Sequence, residues 1–198
     1  MTGKKQLFWL KKGRTICLAS ASPRRLELLV QVGIEPFVYP TDVNETIYKK
    51  EKPKKYAKRM AIAKAQAGLK SGHDIILGAD TVVVLDGKVL GKPADKRDAI
   101  NMLSKLSGRQ HKVITAIAII SPKTDKILAK EVETKVWFKK VSKSDIRKYV
   151  ATNEPMDKAG SYGIQGVGAF LVKKIKGSYS GVVGLPLFET LHLLTNSN

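Results

Sequence analysis

The stretch LASASPRRLELL, from Leu18 to Leu29, decides the fold of this chain. The residues just before and within it, 15–19, are apolar and predict a short buried strand. Pro23 suits the first turn of a helix, where its missing N–H is no loss, and Ser22 is a residue type that caps helices. The stretch therefore predicts a strand, a tight loop and a helix, an arrangement that binds phosphate groups.

Two arginines, Arg24 and Arg25, fall in the first turn of this predicted helix. The unpaired N–H groups of a helix N-terminus attract anions and repel cations, so two guanidinium groups are unfavourable there without a negative ligand. A bound phosphate explains their position. An ordinary capped helix with two solvated arginines explains it equally well, so this string alone does not decide between them.

The charge of the chain is strongly positive. Its 198 residues include 36 lysines and arginines against 17 aspartates and glutamates, a net charge of +19. Such a charge favours nucleotides, nucleic acid or an anionic membrane as partners without choosing among them. The length suits one compact domain, or one with two lobes around a central cleft. We divide the chain into a basic N-terminal arm, 1–13, in which Phe8 and Trp9 are expected to dock onto the body, and a single domain, 14–198.

The cysteine content and the apolar segments bear on the compartment. Cys17 is the single cysteine, which excludes an intrachain disulfide and favours a reducing cytoplasm. Lys11, Lys12 and Arg14 interrupt the apolar residues of the arm before they reach the length of a signal peptide. Because no segment approaches the roughly 20 apolar residues of a membrane-spanning helix, we expect no membrane partner.

Strand and helix patterns alternate along the rest of the chain. They predict a short extended segment at 35–40, a helix at 53–69, a hairpin at 74–93, a helix from Asp95 to Leu106, two paired strands at 111–120 and 130–141, and helices from Ser142 to Ala151 and from Pro186 to Leu194. The hairpin pattern is interrupted at 78–81 and turns at Asp86-Gly87. Residues 158–186 are glycine-rich, which favours close backbone approaches around a ligand. The expected fold is α/β, with a mixed twisted sheet flanked by helices.

Acidic residues at two places are candidates for metal and water chemistry. Asp80 interrupts an apolar strand, where an unpaired carboxylate is costly to bury, so we expect a metal ion or a lysine beside it. A turn aspartate that caps the backbone of Thr81 or Val82 is the alternative. Asp42 and Glu45 lie in the polar loop TDVNET, which also fits solvated surface, although acids stand out in a chain this basic.

Two lysines are candidate phosphate ligands. Lys64 lies among small apolar residues of the predicted helix 53–69, and Lys92 is held between Gly91 and Pro93. Each also fits an ordinary solvated lysine. With the loop 20–25 and the acids, the chain contains what phosphoryl chemistry needs: cations for the phosphate oxygens, carboxylates for a divalent metal and a water, and a tight backbone cradle.

Seven strings of the chain, in order, resemble the motifs of the Maf-type nucleoside triphosphate pyrophosphatases. They are LASASPRRLELL, DVNET, the Lys64-Ala65 pair, GADTVV, LGKP, SGRQHKVITAIAI and AGSYGIQGVGAFLV, and the similarity runs from about Thr15 to Leu194. The resemblance implies a Maf/HAM1 (ITPase-like) architecture for the catalytic domain. It also implies a house-cleaning or division-linked hydrolase, a homodimer, that cleaves a nucleoside triphosphate to the monophosphate and pyrophosphate with Mg²⁺ or Mn²⁺.

The resemblance also implies roles for individual residues at matching motif positions. Those implied to contact phosphates are Ser20, Arg24, Arg25, Lys64 and Lys92. Those implied to serve the metal and the attacking water are Glu45 and Asp80, of which Asp80 is the expected proton acceptor. Asn44 stands where the family loop usually carries a further acid.

The base preference is implied by two of the strings. GADTVV and SYGIQG resemble the branch of the family that prefers dTTP and UTP, and they differ from the branch that acts on methylated GTP. Arg25, Thr81 and Gln165 are therefore implied specificity positions. Gln165 carries both a donor and an acceptor, which can pair with the edge of a pyrimidine.

Two alternatives remain at the level of the sequence. One is the same reaction on methylated GTP or on a modified pyrimidine nucleotide. The other is a non-catalytic regulator of cell division that binds nucleic acid through its charge. Against the second, the aromatic residues are not interleaved with basic ones as a stacking platform requires, so nucleic acid is not a required partner. The histidines, His73, His111 and His192, are scattered and are not expected to act as a base.

Overall fold

A computed structural model of the chain describes residues 13–197, so the expected docking of Phe8 and Trp9 falls outside the described residues. The strands are β1 (Ile16–Ala19), β2 (Phe37–Val38), β3 (Ile75–Leu85), β4 (Lys88–Leu90), β5 (Gln110–Ser121), β6 (Lys126–Phe138) and β7 (Val172–Lys176). The helices are α1 (Pro23–Gln31), α2 (Pro53–Ala67), α3 (Lys96–Leu106), α4 (Lys143–Ala151), α5 (Tyr179–Val183) and α6 (Leu187–Asn196). Short 3₁₀ turns lie at Gly68–Ser71, Pro122–Thr124, Glu154–Asp157, Ala159–Ser161 and Gly166–Leu171.

The strands of the described part of the chain form one mixed sheet. Its order is β2-β1-β3-β5-β6-β7, with β4 paired to β3. Strand β1 runs parallel to both β2 and β3, whereas β4 is antiparallel to β3 and β7 is antiparallel to β6. The prediction of an α/β fold with a mixed sheet and flanking helices is confirmed. No helix within residues 13–197 is long and apolar enough to cross a bilayer.

The chain divides into two compact units. Among the described residues, the first unit extends to Asp80 and includes Thr115–Glu131 and the residues from Gly184 onward. Its core is the apolar side chains of β1, β3 and β5 with those of α1 and α2, among them Leu18, Leu29, Met60, Ile76 and Ile117. Cys17 is buried here, and burial raises the pKa of its thiol, as expected for a packing residue.

The second unit consists of Thr81–Ile114 and Val132–Val183. Its core is a cluster that includes Val83, Leu103, Val136, Tyr149 and Leu171. These side chains come from β3, α3, β6 and α4 and from the 3₁₀ turn before β7.

Local signals account for most of the helix and turn positions. Asp95 caps α3 by accepting from Asp98 N at 2.7 Å, and Ser142 caps α4 by accepting from Asp145 N at 3.1 Å. Asp86 and Gly87 both have positive φ, 50° and 75°, as a two-residue hairpin turn requires.

Three predicted features differ in the structure. Strand β3 runs without a break through 78–81, so the predicted interruption is wrong, and Gly78 lets the extended backbone pass directly against α2. Strand β6 begins and ends earlier than predicted. Ser22 lies at the N-cap of α1, but within the described structure its side chain makes no capping bond.

Candidate active site

The loop between β1 and α1 is organised around the hydroxyl of Ser20. Ser20 Oγ accepts from Ser22 N at 3.2 Å and from Arg25 Nη1 at 2.9 Å. In place of the predicted cap by the Ser22 side chain, the hydroxyl of Ser20 accepts from the backbone N–H of Ser22 and from Arg25. The structure therefore brings two of the predicted phosphate ligands, Ser20 and Arg25, into direct contact.

The two arginines of α1 differ in environment. Arg25 is buried, and its Nε donates to the carbonyl of Gly184 at 2.9 Å, 159 positions along the chain. Burial lowers the pKa of Arg25, the carboxylates of Asp80 and Glu45 act in the opposite direction, and Arg24 lowers it further. Arg24 is half-buried. Arg25 thus holds the loop in place as well as carrying charge, whereas Arg24 is the more accessible cation.

An ammonium group connects the two predicted metal ligands. Lys64 Nζ lies 2.7 Å from Asp80 Oδ1 and 2.8 Å from Glu45 Oε1. The Lys64 and Asp80 side chains are 13% and 10% exposed, whereas that of Glu45 is 56% exposed. We expected a metal ion or a lysine beside Asp80, and the lysine is confirmed, whereas the alternative of a turn aspartate is wrong because Asp80 lies within β3. Asp42, the other acid of this loop, is exposed to solvent.

The close packing of α2 on β3 makes this ion pair possible. A Cβ at Gly78 would stand 2.2 Å from Ala61 O and 2.6 Å from Ala65 N, so the helix backbone lies directly on the strand. Side chains two apart on a strand share a face, which places Asp80 on the same face as Gly78. Lys64 precedes Ala65 on the helix, so it reaches Asp80 across this contact.

Tyr56, another residue of α2, lies close enough to Glu45 and Asp80 to feel the charges of both carboxylates. Its hydroxyl donates to the carbonyl of Glu45 at 3.0 Å. Burial first, and then the charges of Asp80 and Glu45, raise the pKa of Tyr56 to about 12. Tyr56 is therefore a neutral hydrogen-bond donor at the edge of the acidic pair.

The described residues contain no group of three or more His, Cys, Asp and Glu side chains arranged around one point. Mg²⁺ is usually held by one or two carboxylates together with substrate phosphates, not by an all-protein cage. Glu45 and Asp80 already converge on one cation, the Lys64 ammonium. This pair fits a divalent ion that takes its other ligands from phosphate and water.

Thr81 and Lys92 belong to the second unit. Thr81 directly follows Asp80 on β3 and is half-buried, while the Lys92 side chain is exposed. The loop that carries Lys92 is held by Gly160 N, which donates to Gly91 O at 2.9 Å. Gly160 has φ of 69° and packs within 2.9 Å of Val83 when a Cβ is added, so this approach requires glycine.

Gln165 is exposed on a loop that is built around Glu154, a residue that the sequence analysis missed. Glu154 Oε2 accepts from Val167 N and Oε1 from Gly168 N, each at 2.9 Å. Tyr149 OH donates to Glu154 Oε1 at 2.9 Å and accepts from Gly163 N at 3.2 Å. An acid followed by proline, just before a glycine-rich loop, was the signal available in the sequence.

The histidines make no catalytic arrangement. His111 is buried in the second unit with its Nε2 at 2.7 Å from Tyr162 OH, and burial lowers its pKa to about 4. His73 stacks on Phe37 with ring centroids 4.7 Å apart. His192 contacts Asn196 one helical turn away.

Comparison with known proteins places these features in a family. The family model described as Maf-like protein matches residues 15–197. The chain is 52% identical over 189 residues to a dTTP/UTP pyrophosphatase from Shewanella denitrificans, covering 91% of this chain and 94% of that protein. It is 50% identical over 185 residues to a dTTP/UTP pyrophosphatase from Aliivibrio fischeri, with 90% and 96% covered.

Among solved structures, the chain resembles the Ham1 protein of Staphylococcus aureus. The TM-score is 0.46, the identity is 16%, and the match covers 63% of this chain and 72% of that one. A likeness this remote carries no information about function.

Proposed function

Because the chain belongs to the Maf family, we propose that it is a nucleoside triphosphate pyrophosphatase that hydrolyses dTTP and UTP to the monophosphate and pyrophosphate. The observation that carries the proposal is the cluster in which Lys64 joins Glu45 to Asp80. Burial lowers the pKa of Arg25 in α1, and the carboxylates of Asp80 and Glu45 both act in the opposite direction. A cluster of carboxylates and basic side chains suits a ligand that carries phosphate groups together with a metal cation.

The reaction is an in-line attack of water on the α phosphorus. The bond between the α phosphorus and the bridging oxygen breaks, and pyrophosphate leaves. Asp80 accepts the proton of the attacking water, a role that its motif position implies. Arg24 and Lys64 neutralise the charge that develops on the phosphate oxygens.

A divalent cation is part of this proposal. Glu45 and Asp80 would hold it, since both carboxylates already face one positive charge. When bound, Mg²⁺ or Mn²⁺ supplies positive charge that polarises the phosphate oxygens. Lys64 then has to share its two carboxylates with that ion.

The roles that we propose for residues of the second unit rest on the resemblance of their motifs to those of the family. Lys92 would bind phosphate, and Thr81 and Gln165, together with Arg25, would select the base. The backbone N–H groups of Val167 and Gly168 donate to the Glu154 carboxylate and so fix the loop of Gln165, which supports a defined role for this loop. An exposed glutamine there can offer both a donor and an acceptor to a pyrimidine.

We also propose that the protein acts as a homodimer in a reducing cytoplasm. The single cysteine, Cys17, can form no intrachain disulfide, which supports the reducing compartment. The dimer is supported by family resemblance, and light scattering on the full chain measures it directly.

The test is pyrophosphate release from a panel of triphosphates with Mg²⁺ and, in parallel, Mn²⁺. The panel contains dTTP, UTP, the other canonical triphosphates, methylated GTP and modified pyrimidine nucleotides. We expect dTTP and UTP to be hydrolysed fastest. Asp80→Asn removes the proton acceptor and is expected to lower kcat by about 10²- to 10⁴-fold.

Asp86→Asn is the matched control. Asp86 is an exposed acid in the hairpin turn at the end of the same strand, and asparagine suits its positive φ. It should leave the rate unchanged. Hydrolysis of no triphosphate by the wild-type chain would refute the proposed function, and a near-normal rate for Asp80→Asn would remove Asp80 from its role.

A further inference from the structure

The segment 44–51, which carries Glu45, contains no helix or strand, yet it is tightly bonded to α2. Within the segment, Thr46 N donates to Asn44 Oδ1 at 2.9 Å and Glu51 N donates to Tyr48 O at 3.0 Å. These short-range bonds shape the turn but do not fix it on the protein. The backbone of the segment is attached to α2 through Arg59 and Tyr56, and the Glu45 carboxylate is paired with Lys64 of the same helix.

Arg59 makes most of this attachment. Its Nε donates to Glu51 Oε1 at 2.8 Å and its Nη2 to Glu51 Oε2 at 2.7 Å, a bidentate pair. The same Nη2 donates to the carbonyl of Thr46 at 2.9 Å. The guanidinium carbon lies 4.0 Å from the centre of the Tyr48 ring, within the range of a cation–π contact. One side chain thus holds the segment at three points.

The bonds to α2 converge on the backbone of Glu45. Tyr56 OH donates to the carbonyl of Glu45, and Arg59 Nη2 donates to the next carbonyl, that of Thr46. Tyr56 and Arg59 are three apart on α2, so they lie on one side of the helix. Lys64, two turns beyond Tyr56, receives the Glu45 carboxylate on the same helix. Residues of α2 therefore hold both the backbone and the side chain of Glu45.

We propose that Arg59 is a positioning residue for the reaction: it holds the backbone of Glu45 so that the Glu45 carboxylate meets Lys64 and, through it, Asp80. The inference rests on the proposed function, in which Arg59 acts through Glu45 and not on the reacting atoms. The bidentate bond to Glu51 lowers the pKa of that carboxyl to about 2. The attachment therefore stays ionised throughout the pH range of an assay.

The test is a double-mutant cycle between Arg59 and Glu45. A small displacement of a group near the reacting atoms can cost about 10²-fold in rate, so we expect Arg59→Met to lower kcat/KM by about 10- to 100-fold. In a Glu45→Gln background there is no carboxylate left to position. There, Arg59→Met is expected to cost less than about twofold more.

Lys55→Met is the matched control, because Lys55 is an exposed cation on the same helix and its removal changes the net charge equally. It should have no effect in either background. Arg59→Lys keeps the charge but loses the bidentate geometry, and it should restore only part of the activity. If Arg59→Met does not fold, as judged by circular dichroism, Arg59→Lys and Tyr56→Phe take its place in the cycle.

A purely structural Arg59 predicts another pattern. The fold losses of Arg59→Met and Glu45→Gln would then multiply, and this result overturns the inference while the wild-type activity upholds the proposed function. The cycle is run with whichever triphosphate the wild-type chain hydrolyses fastest, so an error in the assigned base does not affect it. Absence of all triphosphate hydrolysis in the wild type would overturn both proposals.

Discussion

Lys64 Nζ lies 2.7 Å from Asp80 Oδ1, and both side chains are largely withdrawn from solvent. The two residues are 16 positions apart and belong to different elements, α2 and β3. A buried charge that loses its partner keeps the cost of desolvation without the compensating attraction. Each residue therefore makes the burial of the other tolerable.

Lys64→Met should lower the free energy of unfolding by about 3 kcal/mol, because Asp80 stays buried without this cation. Combining it with Asp80→Asn should recover part of the loss, since neither charge then remains. Urea denaturation of the single and double variants measures the coupling. Strictly additive losses would contradict the idea that the two charges depend on each other.

Gly78→Ala should be severely destabilising. The added Cβ would meet backbone atoms of α2, Ala61 O and Ala65 N, and backbone cannot rotate out of the way as a side chain can. We expect a loss of about 3 kcal/mol or more, above the usual range for overpacking. Gly91→Ala is the control for stability, because its Cβ would meet no atom within 4 Å. Equal thermal midpoints for the two variants would contradict the close approach.

His111 should make the stability of the chain fall in mild acid. Burial lowers its folded pKa to about 4, below the unfolded value of 6.5, so the unfolded state binds more protons between these values. The contribution of neutral, buried His111 to the free energy of unfolding is fully present above pH 6.5. It decreases as the pH falls toward 4, by up to about 3 kcal/mol. The free energy of unfolding from urea titrations at several pH values measures this slope.

His111→Gln removes the titration and can still bond the hydroxyl of Tyr162. Its free energy of unfolding should change less with pH between 4 and 6.5 than that of the wild type. An identical slope in the two proteins would assign the acid sensitivity to other groups.

Glu154→Gln should disturb the loop of Gln165. The amide replaces a carboxylate oxygen that accepts from a backbone N–H, so a donor faces Val167 N or Gly168 N. Losing such charge-assisted bonds costs about 1–3 kcal/mol. If Gln165 reads the base, the ratio of kcat/KM for UTP to that for CTP should fall toward one. Glu35→Gln, an exposed acid outside this loop, is the control, and an unchanged ratio for Glu154→Gln would refute the positioning of Gln165 by Glu154.

Much of the fold was predictable because its signals are local. Pro23 begins α1, Asp95 and Ser142 cap α3 and α4, and Asp86-Gly87 turns the hairpin, each through bonds or dihedral angles within a few residues. The order of the motifs likewise identified the family, and the cost of burying an unpaired carboxylate in an apolar strand predicted a metal ion or a lysine beside Asp80.

The tertiary structure alone decided how the site residues are held. Arg25 bonds to Gly184, and Lys64 joins Glu45 to Asp80. Glu154 accepts hydrogen bonds from the backbone of the loop that contains Gln165. The sequence did not indicate that Gly78 would let a helix rest on β3, nor that Arg59 would bind Glu51 and Thr46. Short-range dihedral preferences determine where elements begin and end, whereas these contacts depend on how whole elements pack, which many distant residues determine together.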